Sequence, residues 1–218
     1  MFNTNDLHTQ YKGMKENVVI TIGRQLGGGG GCLAKELSRR LGLPVYNKEL
    51  ICEAAKQSGL RQSLFEQADE RDSNVMPLGG SGLSVDSFSG SFCSGYINND
   101  TLFGIQSQAI EALADKGGCI LVGRCADYVL RNRSNVLSVF VTADLDERIE
   151  RIARERNLSL REAESLIAQS EKRRSAYYNH YTFKTWGAAE SYDLCLNATK
   201  LGIDGCADMV EAAIAKME

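Results

Sequence analysis

Histidine is scarce in this sequence: His8 and His180 are the only two among 218 residues, and neither stands at metal-ligand spacing or suggests acid–base catalysis. No CxxC pair occurs among Cys32, Cys52, Cys93, Cys119, Cys125, Cys195 and Cys206. Their odd count and scatter argue against a disulfide framework or a zinc site, and no metal ligands are assigned. They read as reduced, mostly buried thiols of a cytoplasmic protein. No apolar run approaches the roughly 20 residues of a membrane span. The polar first 16 residues lack the apolar core of a secretory signal and read as a flexible lead-in. Charge of one sign is lacking as well. A net charge of -3 gives no bulk attraction to nucleic acid or membrane, though local arginine clusters can still bind small anions. Nothing in the pattern indicates an oligomeric state.

What is present suits an α/β protein, with 43% hydrophobic and 24% charged residues. Residues 17–218 are long enough for a single domain with a sizeable core. Val18-Val19-Ile20-Thr21-Ile22 is a β-branched run typical of a buried strand. A glycine run follows, and then Leu33, Leu37 and Leu41 mark one face of a helix that Gly42 and Pro44 stop. Residues 47–71 read as helix broken at Gly59, and 73–100, rich in Gly and Ser, as a flexible insert. Cys119–Val122, Val136–Val141 and Tyr192–Asn197 are predicted strands. Asp144 with Glu147, and Ser159 with Glu162, have the spacing of capping boxes that open two helices. A closing helix is expected over Ala207–Met217. Strands alternating with helices imply a mainly parallel sheet covered on both faces, with ligands beyond the carboxyl ends of its strands.

Gly27, Gly28, Gly29, Gly30 and Gly31 stand between a strand and a helix. Such a loop turns several backbone N–H groups toward one anion and delivers it to a helix N-terminus. The alternative is a flexible turn with no ligand. Against the P-loop pattern GxxxxGK[ST], Gly30 takes the lysine position and Gly31 the hydroxyl position. Cys32 is a weak substitute for the hydroxyl, and Arg24 can supply charge from the other side of the loop. Arg124, after a buried strand and a glycine, faces either the ligand cleft or a salt bridge at the sheet edge. Over residues 144–180, Arg148, Arg151, Arg154, Arg156, Arg161, Arg173 and Arg174 are interleaved with glutamates. That pattern fits a phosphate-binding lid hairpin and an ion-paired surface hairpin equally. Asp193 suits either a nucleotide or metal-bound water, or a structural hydrogen bond. Tyr177, Tyr178, His180 and Tyr181 offer either a stacking surface or packing of the hairpin on the body.

Across residues 17–215 the chain resembles the cytidylate-kinase-like family of nucleoside monophosphate kinases. The resemblance rests on Ile20–Arg24 with the glycine run, on Leu41–Ile51, on Val122-Gly123-Arg124-Cys125-Ala126-Asp127-Tyr128, and on Ser191–Asn197, in that order. The chain departs from the family at Asn47, often Asp; at Gly31, usually Arg or another polar residue; and from cytidylate kinases in the missing loop lysine and in Cys125, which replaces an Asp. The resemblance implies a P-loop NTPase-type three-layer α/β/α fold with a helical lid. It implies a phosphotransferase using ATP and Mg2+ on nucleotide substrates, CMP or dCMP first. Gly27–Gly31 and Cys32 would then hold the donor phosphates. Arg24, Arg151, Arg154, Arg173 and Arg174 would offset transition-state charge, and Asn47, Lys48, Arg124 and Asp193 would hold the acceptor. Two alternatives stay open: a nucleotide- or phosphate-binding regulatory module without catalysis, and a kinase of another small molecule.

Overall fold

The computed structural model describes residues 17–57 and 99–217. The expected lead-in, the break at Gly59 and the insert over 73–100 lie outside these residues, except that Asn99 and Asp100 open a helix. Two compact units are found: Met1–Lys48 with Ile110–Glu218, and Glu49–Ala109.

The first unit holds β1 (Val19–Arg24), α1 (Gly30–Leu41) and β2 (Val45–Tyr46). After the second unit it continues with β3 (Cys119–Val122), α4 (Ala126–Val129), β4 (Val136–Thr142), α5 (Leu145–Arg156), α6 (Leu160–Thr182), β5 (Leu194–Asn197) and α7 (Ala198–Ile214). The second unit carries most of α2 (Lys48–Gln57) and the first part of α3 (Asn99–Asp115). Within it, Gln106 Nε2 donates to Cys52 Sγ at 3.4 Å.

All five strands run parallel in the order β2-β3-β1-β4-β5. β1 is central, and its β-branched residues are buried, as a sheet covered on both sides requires. Alternation sends Ile20 and Ile22 to one face, where they pack with Leu33, Ala34 and Leu37 of α1 and Cys206, Ala207, Val210 and Ile214 of α7. Arg40 ties the two covering helices together, donating to Asp208 at 2.6 Å and Asp204 at 3.0 Å. On the other face, Phe140 meets Tyr192 and Trp186 at ring-centroid distances of 4.9 and 5.2 Å. Tyr178 of α6 stacks on Tyr192 in turn.

Local signals account for most boundaries. Gly42 ends α1 at φ 71°, returning its N–H to Ser38 O at 2.9 Å. Ser159 and Glu162 form the expected capping box. Asp144 is the N-cap of α5, but its side chain makes no cap bond. Its Oδ1 instead accepts from Asn197 Nδ2 at 3.0 Å, and Glu147 accepts from Thr199. Instead of capping their own helix, the two acids hold the start of α5 to Asn197 at the end of β5 and to Thr199 in the first turn of α7. The closing helix starts at Ala198, not Ala207, because Asn197 caps it and Gly202, at φ 68° and ψ 172°, inserts a kink.

Candidate functional site

Strand order sets two loops side by side. From β1 the chain crosses to β2, on the far side of β3; from β3 it crosses to β4, on the far side of β1. Connections leaving in opposite directions open a crevice between the carboxyl ends of β1 and β3. The glycine segment flanks it on one side, and the turn Gly123-Arg124-Cys125 on the other.

The glycine segment is folded rather than slack. Gln25 N–H donates to Val141 O at 3.1 Å and Gly28 N–H to Gln25 O at 3.2 Å. Thr142 Oγ1 donates to Gln25 Oε1. Gly27 and Gly29 take φ values of 75° and 85°, where a side chain would be strained. Helix α1 begins at Gly30 with no side-chain cap and no acidic residue in its first turn. Its first N–H groups and the positive end of its dipole therefore favour an incoming anion. Arg24 lies back over this start. A Cβ at Gly30 would meet Arg24 Cβ at 2.6 Å, and one at Gly123 would overlap the Arg24 guanidinium. Both glycines make room for that side chain.

Arg124 and Cys125 follow Gly123 with φ values of 60° and 55°, unusual for residues with a Cβ. The turn sets Arg124 Cζ 5.4 Å from the ring centre of Tyr177. Cys125 is buried, and mainly for that reason its thiol is pushed up to about 12, an unreactive state.

The hairpin of α5 and α6 closes on the same loop. Ile152, Ala163 and Ile167 form its core, and Leu26 of the loop packs against them. Arg148, only 5% exposed, pairs with Glu171 and joins the two helices. Arg151 Nη1 donates to Gly27 O at 2.6 Å, and Arg174 Nη1 to Arg24 O at 2.8 Å. Burial, above all, holds the Arg174 guanidinium below the usual arginine range. Glu171 opposes this, and Arg156, Arg124 and Arg173 add to it. Positive charge is thus concentrated where the loop meets the hairpin.

Of the residues singled out in the sequence, Arg24, Gly27–Gly31, Arg151 and Arg174 come together, with Arg124 across the crevice. Cys32 is exposed in the first turn of α1. Asn47 is exposed after β2, at the same edge of the sheet, and Lys48 opens α2. Arg154 is exposed in the last turn of α5, and Arg173 is exposed beside Arg174. Asp193 is not brought to the loop. It lies just before β5, at the amino edge, where its Oδ2 accepts from Ser138 N–H at 2.8 Å and Ser138 Oγ at 2.7 Å. Those bonds match the structural alternative for this residue.

The sequence reading offered Tyr178 for packing the hairpin on the body, but missed that it joins Asp127 and Tyr192 in one cluster. Tyr178 Oη donates to Asp127 Oδ2 at 2.7 Å. Tyr192 lies beneath Gly23, where a Cβ would meet its Cε1 at 3.1 Å. Burial raises the Asp127 pKa, and the Tyr178 hydrogen bond opposes that rise. An acid set beside Cys125-Ala126 gives no hint of a partner some 50 residues away.

Among the described residues, no three His, Cys, Asp or Glu side chains could hold a metal ion, and no helix is long and apolar enough to cross a membrane. Magnesium keeps several waters and binds largely through substrate phosphates, so the lack of a protein cage is compatible with its arriving on a nucleotide. The loop offers it no hydroxyl at Gly31.

Residues 19–200 match the model of the cytidylate kinase-like family. The cytidylate kinase of Pyrococcus horikoshii is 27% identical over 202 residues, covering 92% of this chain and 90% of that one. That of Methanopyrus kandleri is 26% identical over 207 residues, covering 91% and 93%. Among solved structures, an uncharacterized protein from Eubacterium ventriosum superposes with a TM-score of 0.65 at 25% identity, covering 91% of this chain and 99% of its own. Shikimate kinase from Acinetobacter baumannii, at 11% identity and a TM-score of 0.50 over 95% of this chain and 99% of its own, shares the fold.

Proposed function

The chain belongs to the cytidylate kinase-like family, and from that premise we propose that it transfers the γ-phosphoryl group of ATP, with magnesium, to a nucleoside monophosphate, CMP or dCMP first. Phosphoryl transfer asks little covalent chemistry of a protein. It needs donor and acceptor in line, and positive charge over the moving group. The N–H groups at the start of α1 hold the donor phosphates. Arg24 and the hairpin arginines bring the charge that a loop lysine brings elsewhere, because a guanidinium stays charged and binds phosphate oxygens in pairs. Arg124 and the segment at Asn47-Lys48 hold the acceptor.

One observation carries this proposal. Arg151 and Arg174, from two different helices, converge on the backbone of a glycine loop that opens an uncapped helix. Its test is a coupled phosphate-transfer assay with ATP and magnesium over a panel of nucleoside monophosphates, run beside calorimetric ATP titration. Turnover with CMP or dCMP is the expected result. ATP binding without turnover of any monophosphate would overturn it. The glycine in the lysine position favours a second reading, a nucleotide-binding module without catalysis, and that same outcome would establish it. Turnover of a different small alcohol would keep the kinase and replace the acceptor.

A further inference from the structure

The loop between β1 and α1 carries three glycines, Gly27 to Gly29, before Gly30 and Gly31 enter the helix, and has little to hold its own shape. Each glycine loses more conformational freedom on ordering than any other residue, and none offers a side chain to pack or bond. This loop nevertheless takes a defined turn, held on one side by Val141 and Thr142 at the end of β4 and by Ala198 and Ile203 of α7, and on the other by the hairpin. Leu26 sits on the Ile152, Ala163 and Ile167 core. Gly27 lies so close to α5 that a Cβ there would meet Arg148 O at 3.0 Å and Ile152 Cγ1 at 3.1 Å. The carbonyls of Arg24 and Gly27 are each taken by a hairpin arginine.

A carbonyl and the N–H of the peptide it belongs to point in opposite directions. Fixing the carbonyls of Arg24 and Gly27 therefore fixes where the N–H groups of Gln25 and Gly28 point. Those two N–H groups close the turn that leads into α1, onto Val141 O and Gln25 O. We infer that Arg151 and Arg174 are positioning residues. By holding the carbonyls of Gly27 and Arg24, they set the glycine loop in its anion-receiving form before any ligand arrives, so that order in the loop depends on docking of the α5–α6 hairpin. This deepens the phosphate-site reading above and rests on it. Beyond the charge the hairpin brings to phosphate, these two arginines act on the loop already in the ligand-free protein.

The experiment is hydrogen exchange on the ligand-free full chain, read at Gln25, Gly28 and Leu33, whose N–H groups donate to Val141, Gln25 and Gly29. The doubly substituted Arg151→Met, Arg174→Met protein keeps the side-chain stems and loses the donors. Exchange at the three amides is expected to quicken by about tenfold or more, while amides of β4 keep their rates, as for a local opening. The conservative Arg151→Lys, Arg174→Lys protein is expected to recover most of the protection, and with it most of the affinity for ATP. Unchanged loop exchange in a folded Met variant would overturn the inference, as would failure of the Lys variant to restore either reading. If the double variant loses β4 protection as well, the single Arg151→Met protein is read in its place by the same criteria. ATP titration of the unsubstituted chain tests the phosphate site independently. No binding there sinks the site reading, whereas unchanged loop exchange sinks only the positioning role.

Discussion

At the start of α6, Ser159 Oγ accepts from Glu162 N–H, and Glu162 Oε2 reaches back to Ser159 N–H at 2.8 Å. At the start of α1, Gly29 offers no side chain, the first turn holds no acid, and arginines stand around it. Both helices begin with the same unsatisfied N–H groups and the same positive dipole end. One resolves them within its own chain and forms part of a surface hairpin. The other leaves them open and is steadied from outside, by the loop bonds and the hairpin. A self-capped helix end gains stability and loses its use as an anion site, whereas an open end keeps that use and needs support from elsewhere in the fold.

The largest effect is expected from placing a side chain where the open end depends on having none. In Gly29→Ala, a Cβ would lie 2.9 Å from Ile203 Cδ1 and 3.3 Å from Arg151 Nη1, on a backbone at φ 85°. The left-handed backbone is strained by the added Cβ, and the ends of the Ile203 and Arg151 side chains must give way. ATP affinity and transfer rate are expected to fall about 100-fold, the scale of an ångström-sized misplacement in a positioned site. Calorimetry and the coupled assay measure the two.

A half-buried acid satisfied by its own chain extends the comparison. Tyr178→Phe removes the side-chain hydrogen bond to Asp127 and leaves its carboxyl with backbone partners alone. Stability at neutral pH is expected to drop by about 1 kcal/mol, the scale of one lost side-chain hydrogen bond. The sign with pH follows from the raised folded-state pKa of Asp127. The folded protein binds this proton more tightly than the unfolded chain, so the favourable contribution is full below the ordinary aspartate value. It is lost as pH rises through the raised one. Asp127→Asn is expected to remove that slope from a denaturation series across pH, and an unchanged slope would contradict the assignment.

Charge at the open end gives a smaller effect. Gly31 is exposed and a Cβ there meets nothing within 4 Å, so Gly31→Asp fits without distortion. An acid in the first turn favours the helix by about 0.3–1 kcal/mol through the dipole. Beside the phosphate site it repels the ligand. ATP affinity is expected to fall about tenfold at low salt and less at high salt, where screening shortens the reach of the charge. A higher melting temperature with weaker binding would show self-satisfaction and ligand use competing at one helix end.

Legibility in the sequence follows how local each signal is. The β1–glycine–α1 unit was readable because β-branching, glycine and the leucine spacing all act within about one turn of chain. The Ser159–Glu162 box was readable for the same reason. β2 was not, since two residues, Val45 and Tyr46, form a strand only because β3 is there to pair with them. Asp144 misled because its capping spacing is local while its partner, Asn197, is not. At the site, the glycines and Arg124 stood out by their place after strands. That Arg151 and Arg174 hold loop carbonyls was hidden, because the interleaved glutamates suit a solvated hairpin just as well. Only the tertiary fold separates Arg148, turned inward to Glu171, from the exposed Arg154.

The smallest effect is expected at the closed end. Ser159→Ala removes one half of the capping box and should cost about 1 kcal/mol, the usual value of a lost Ser cap. Glu162, whose carboxyl Ser159 holds below the usual range, should titrate closer to the ordinary glutamate value. The box opens α6, while Arg174, Tyr178 and the Glu171 partner of Arg148 all lie at least a dozen residues further along that helix. ATP affinity should therefore stay within about twofold, since fraying at a helix end is confined to its terminal turn. Chemical denaturation and ATP titration on the same preparation decide the matter. A loss of stability with unchanged binding confirms that the two helix starts do separate work. Weakened binding would mean that α6 transmits its cap to the loop as a rigid rod, and the closed end would then be part of the site.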